Sequence, residues 1–188
     1  MKQAVTQTKR FLPPGRITIK YNYKAIPVDI ERFRNQLIAM RSVLDCDVFD
    51  LGVVLDSDEV LAKLNKEYCG KKVPTDCISI PMHVSPVRFE QEAIFYFLIS
   101  GHQENLKAGT LPPTRKTGND LGDIYLSLPY AQRHCEAENI PLLQHLTALA
   151  AHSLCHLLGY DHQTNADYKL MKAKEDFLLE RLKEMQLA

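Results

Sequence analysis

The 188-residue chain predicts a single α+β (or mixed α/β) domain of four short strands and about five or six helices. Three observations lead there. Strand-like runs occur at four places, and segments with helix start and stop signals lie between and after them. The composition, 45% hydrophobic and 24% charged, is that of a globular protein. A chain of this length can bury about 70% of its unfolded surface without covalent staples.

Arg16 to Tyr23 alternates apolar and polar side chains, the rhythm of a half-buried strand. Pro27 and Asp29 open a helix to about Leu44, with Ile30, Phe33, Leu37, Ile38 and Val43 as its apolar face. Leu51 to Leu55 is apolar throughout and reads as a buried strand. Ser57 is placed to cap the next helix, which carries Asp58 and Glu59 in its first turn and stops before Gly70. Val73 to Asp76 turns into a strand from Cys77 to Met82.

Residues 84–118 are irregular, with a short helix expected from Phe89 to about Gln103. A stretch this long between two strands reads as an elaborated lid or mobile loop. Leu121 to Ser127 is the fourth strand, and Pro129 begins a helix to about Glu138. Pro141 is expected at N1 of a helix over 142–158 that closes at Gly159. Thr164 and Asp167 form a capping box for a last helix to about Met185.

Charge sets few limits. Lys plus Arg equals Asp plus Glu at 23 each, so no net field points to a polyanionic partner. Residues 1 to 24 nevertheless hold six basic and no acidic side chains. Residues 1–15 are read as a flexible tail; phosphate contact and targeting are the other readings of this basic arm. Five cysteines without a C-x-x-C pair, and no secretory signal, favour free thiols in a reducing compartment. The longest apolar run, Ala93 to Ile99, is too short to cross a membrane. The expected location is the cytoplasm, or the mitochondrion or another organelle if the N-terminus is a targeting segment.

The chemistry is concentrated in residues 152–162, His-Ser-Leu-Cys-His-Leu-Leu-Gly-Tyr-Asp-His. His152 and His156 stand four apart, one turn above the other on one helix face. Gly159 can take positive φ and reverse the chain, bringing His162 toward the first two imidazoles. Three imidazoles from a helix and the turn after it form an open zinc site with the fourth position left for water. Cys155 points away from that face, so a fourth thiolate ligand is not expected. Ordinary helix histidines and a structural zinc site are the competing readings.

The same spacing occurs in metzincin proteases, but those require Glu after the first His, where this chain has Ser153, and no Met-turn is evident. A zinc protease is therefore the least favoured enzyme. Three neutral imidazoles leave the ion its full double charge, which can lower the pKa of bound water to about 7. That suits zinc-bound hydroxide attacking a phosphodiester.

The segment resembles the H-G-x-L-H-L-x-G-Y-D-H pattern of the YbeY family, zinc-dependent single-strand endoribonucleases of ribosomal RNA maturation. Two further segments extend the likeness. Asn65-x-x-Tyr68-x-x-Lys71-x-x-Pro74-Thr75-Asp76-Cys77-Ile78-Ser79-Ile80-Pro81 is similar to the family's N-x-x-Y-R-x-K-x-x-P-T-D-V-L-S-F-P, and Leu121-Gly122-Asp123-Ile124 to its L-G-D-I. These cover most of residues 51 to 186, in the family's order.

The resemblance implies a small α+β fold: a mixed four-stranded sheet flanked by helices, with a zincin-like metal cleft. It implies one Zn2+ on His152, His156 and His162, with single-stranded or ribosomal RNA as substrate and the ribosomal small subunit or its assembly factors as partners. Lys71 matches a basic position lining the cleft and would hold a substrate phosphate, with a solvated turn at Lys71 and Lys72 as the other reading. Asp123, Asp161 and Asp76 match acids that either orient a ligand or a water, in catalytic support, or hold a loop.

Three departures stand out. The family's Arg after the Tyr is Cys69, which removes a bidentate phosphate clamp. The Gly after the first ligand is Ser153, whose side chain is expected to crowd the metal approach. The 84–118 segment is elongated, and Arg88, Arg115 or Lys116 within it is a candidate substitute for the missing Arg. Cys69 also motivates a second function, a ribosome-associated zinc-fold factor with weak or no nuclease activity.

Overall fold

The computed structural model describes residues 13–82 and 120–187. Residues 1–12 of the expected tail, and all of the expected insertion at 84–118 with its short helix, lie outside the described residues. Gly15, at the other end of that tail, is anchored, its N–H donating to Asp47 O at 2.7 Å.

Among the described residues nine elements follow in order: β1 (Ile17–Tyr21), α1 (Ile30–Val43), β2 (Asp50–Asp56), α2 (Asp58–Cys69), β3 (Cys77–Pro81), β4 (Asp120–Ser127), α3 (Leu128–Glu138), α4 (Leu142–Leu157) and α5 (Asn165–Glu184). The sheet order is β1-β2-β4-β3. β1, β2 and β4 run parallel, and β3 joins β4 antiparallel. This is the α+β architecture with a mixed four-stranded sheet that the sequence predicts. Among the described residues no helix is long and apolar enough to cross a membrane.

The middle of β2, Leu51 to Leu55, is apolar because both of its faces are covered, and all five residues are buried. β4 shows how the faces divide. Ile124 and Leu126 join the main core with Phe33, Leu37 and Met40 of α1, Leu146 and Leu154 of α4, and Met171, Leu178 and Leu182 of α5. Tyr125 turns to the other face, where Leu61, Leu64 and Tyr68 of α2 pack with Ile78 and Ile80. Buried polar groups tie the layers. Thr147 Oγ1 donates to Gln36 Oε1 at 2.8 Å, and Gln36 Nε2 donates to Leu187 O at 2.7 Å.

Several local expectations change. Ile38 is 46% exposed, while Met40 is buried. The apolar stripe of α1 continues at i+4 and i+7 from Phe33, which leaves Ile38 on the solvent side. Pro141 is the N-cap of α4 rather than N1, with φ −65° and ψ 136°. Its carbonyl already accepts from His145 N at 3.1 Å. Ser57 is the N-cap of α2 but makes no side-chain capping bond. The capping box of Thr164 and Asp167 is present as expected.

Gly122 of β4 is a strand position where only glycine fits. Its φ is +123°, and a Cβ there would sit 2.2 Å from Ile80 O of the neighbouring strand. Gly122→Ala is expected to destabilise the fold by about 2–4 kcal/mol. Thermal unfolding should show this as a drop of roughly 5–15 °C in Tm.

Candidate metal centre

α4 does two jobs around its circumference. Leu146, Leu149, Ala150, Ser153, Leu154 and Leu157 are buried in the core, and His152 and His156, on the adjoining face, are half-buried. The helix ends at Leu157, and Gly159 follows at φ +89° with its N–H donating to His156 O at 3.0 Å. Tyr160 N then donates to Cys155 O at 3.0 Å, folding the chain back over the helix end. Asp161 Oδ1 accepts from the N–H of His162 at 2.7 Å and shapes that last step. The three imidazoles predicted from spacing come together: one ring nitrogen from each lies within 4.8 Å of the others.

Hydrogen bonding decides which nitrogens face inward. His156 Nδ1 lies 3.0 Å from Tyr160 O, an atom that can only accept, so Nδ1 carries the proton. His152 Nδ1 lies 2.7 Å from Glu175 Oε1 and donates in the same way. Each neutral ring is then left with a lone pair on Nε2, and these two atoms stand 3.1 Å apart. With both rings neutral neither can donate to the other, and a shared cation between the two lone pairs relieves their repulsion. Two nitrogens bound tetrahedrally to one zinc ion would stand about 3.3 Å apart. The residues fit a divalent metal. Burial, and then the neighbouring His152 and His162, push His156 down to about 4 and keep it in the ligand form.

Glu175 is the functional residue that sequence reasoning missed. It sits on α5 with its side chain 16% exposed and fixes the tautomer and ring plane of His152, the usual task of a carboxylate behind a metal-bound imidazole. A signal was available. The buried positions of α5 are Met171, Leu178 and Leu182, and Glu175 falls in that stripe where an apolar residue belongs.

The other sequence candidates are placed elsewhere. Cys155 is fully buried in the core, and burial pushes its thiol up to about 12, consistent with no thiolate ligand at this site. Ser153 is also fully buried and lies against the Cys77 thiol, so it does not crowd the metal approach. The reason is angular: one residue past His152 is about 100° round the helix, toward β3. Asp123 lies over Gly52, where a Cβ would meet its Oδ1 at 1.8 Å, and near Tyr68 on the α2 face of the sheet.

Asp76 accepts from Thr75 Oγ1 at 3.0 Å and from Cys77 N at 2.8 Å, bonds that shape its own turn. Lys71 and Lys72 are exposed on a turn pinned by buried Asn65, which donates to Val73 O at 2.7 Å. Cys69 is exposed at the end of α2. Arg88, Arg115 and Lys116 lie outside the described residues.

Comparison with known proteins points to one family. The family model described as endoribonuclease YbeY matches residues 17–183. The endoribonuclease YbeY of Homo sapiens is 32% identical over 167 residues, covering 88% of this chain and 87% of its own. That of Geobacillus kaustophilus is 31% identical over 153 residues, covering 81% and 83%. A solution structure of a Thermotoga maritima protein matches with a TM-score of 0.54 at 18% identity, over 91% of this chain and 92% of its own, and speaks for the fold.

Glu175→Ala is expected to weaken metal affinity about 10–100-fold, and Glu175→Gln by less, because the amide oxygen still accepts from Nδ1. Competition with a chromophoric chelator measures this, and circular dichroism should show an unchanged fold.

Proposed function

The chain belongs to the endoribonuclease YbeY family, matched over residues 17–183, and from that premise we propose a metal-dependent, single-strand-specific endoribonuclease of ribosomal RNA processing and ribosome maturation. One zinc ion on His152, His156 and His162 is the cofactor in this reading. The observation that carries it is the pair of facing Nε2 lone pairs 3.1 Å apart, with both outer nitrogens already committed as donors. When bound there, a divalent ion supplies an activated water and charge stabilisation on a phosphoryl group.

The chain's own residues do the rest. Glu175 and Tyr160 O hold two rings in the ligand tautomer, and the turn at Gly159 brings in the third. The nitrogen-only donor set suits zinc, though nickel, copper and iron also accept imidazoles, so elemental analysis identifies the metal. Lys71, exposed beside the pinned turn, is assigned to a substrate phosphate. Asp123, over Gly52 and near Tyr68 on the α2 face of the sheet, is assigned an indirect, positioning role. Ribosomal small-subunit components are the expected partners. A reducing compartment, cytoplasmic or organellar, suits the five free cysteines. The non-nuclease ribosome factor is less favoured, because the curated relatives above carry the endoribonuclease name.

Metal-loaded protein is expected to cleave single-stranded RNA, and His156→Ala to lose at least about a hundredfold of that rate. Equal cleavage by both would sink the reading. Cys69→Arg is expected to raise kcat/KM by about tenfold or more by restoring a guanidinium against transition-state charge, read in the same assay.

A further inference from the structure

A cavity of about 220 Å³ opens beside the histidine trio, lined by His152, His162, Tyr168, Met171, Lys172 and Glu175. The four α5 residues stand at i, i+3, i+4 and i+7, so one helix face forms a wall. Two of them have evident other tasks. Met171 is buried and belongs to the core, and Glu175 holds His152. Tyr168 and Lys172 are left facing the opening.

The Tyr168 side chain has little packing role, since the residue is 54% exposed. The Lys172 ammonium pairs with Asp176 Oδ1 at 2.7 Å, but those side chains are 47% and 56% exposed. Such surface pairs are weak, and a phosphate can displace the carboxylate. Leu170 and Phe177, the other exposed apolar residues near the middle of α5, are seven apart and share a different face. Tyr168 is therefore not part of an apolar stripe of the kind a protein partner would cover. An open aromatic ring with a cation one turn away, at the edge of a phosphodiester-cleaving centre, matches the chemistry of a nucleotide.

We propose that Tyr168 and Lys172 form a nucleotide subsite: a base adjoining the scissile phosphate stacks on Tyr168, and Lys172 takes the flanking phosphate. The subsite rests on the RNA-cleaving reading and gives it a physical source of strand selectivity. A base inside a duplex has both faces covered by its neighbours, whereas an unpaired base can turn one face to the ring.

Stopped-flow fluorescence with single-stranded RNA decamers carrying 2-aminopurine at successive positions tests this on the metal-loaded full chain. Stacking gives a fast quench, and cleavage a later rise. The expected result is a fast quench from one position next to the cut, kept in Tyr168→Phe and lost in Tyr168→Ala. Tyr168→Ala should also lower kcat/KM about tenfold, and Lys172→Ala should flatten the salt dependence of binding. A quench that survives in Tyr168→Ala, or cleavage with no quench at any position, overturns the subsite. A Tyr168-dependent quench with no later rise would keep the subsite and overturn the RNA-cleaving reading instead.

Discussion

The structure turns on two imidazoles whose inner nitrogens face each other 3.1 Å apart. The fold has already committed the outer nitrogen of each, one to a backbone carbonyl and the other to a carboxylate, and it points both remaining lone pairs at the same space. Left alone, that arrangement is unfavourable, and a divalent cation converts it into an attraction. The cost of holding the rings in place is met by the core, because the helix that carries them is buried along most of its length. Metal affinity and fold stability are therefore linked: whatever loosens α4 against the sheet also scatters the donors.

α5 extends this linkage to the far end of the chain. Its buried residues pack into the main core, and Glu175, within the same stripe, reaches His152. One helix thus sets both the position of α4 and the tautomer of its first ligand. Gln36 strengthens the arrangement by bonding α4 through Thr147 and the C-terminal segment through Leu187 O. The sheet contributes indirectly. Gly122 lets β4 approach Ile80 closely enough for β3 to close the edge over which Ser153 packs.

Features governed by short sequence separation were legible. The helix spacing of His152 and His156, the positive φ of Gly159 and the capping box at Thr164 depend only on nearby residues, and each is found as read. Features governed by tertiary packing were less so. Ile38 and Met40 exchange burial because the angle at which α1 meets the sheet, rather than hydrophobicity alone, selects the inner face. Glu175 escaped notice because its partner lies 23 residues away on another helix, although a carboxylate in an apolar stripe was the available sign. Asp123 shows the reverse case. A motif places it near the site in sequence pattern, while strand alternation puts it beside Gly52 and Tyr68, on the side of the sheet away from Ile124.

The departures from the family pattern divide by burial, and the division bears on whether the site is degraded. Ser153 stands where the pattern has Gly, and Cys77 where it has Val. These two touch across the α4–β3 contact. The added hydroxyl at one position is matched by a smaller, weakly polar thiol at the other, so volume and polarity are adjusted together in a closed space. Burial pushes Cys77 up to about 12, which makes it packing material rather than a nucleophile. Neither residue is among the three whose ring nitrogens converge. Cys69 is different: it is exposed, and losing a guanidinium there leaves the interior undisturbed. That substitution lies at the exposed end of α2, and the three histidines that could hold a metal converge without it.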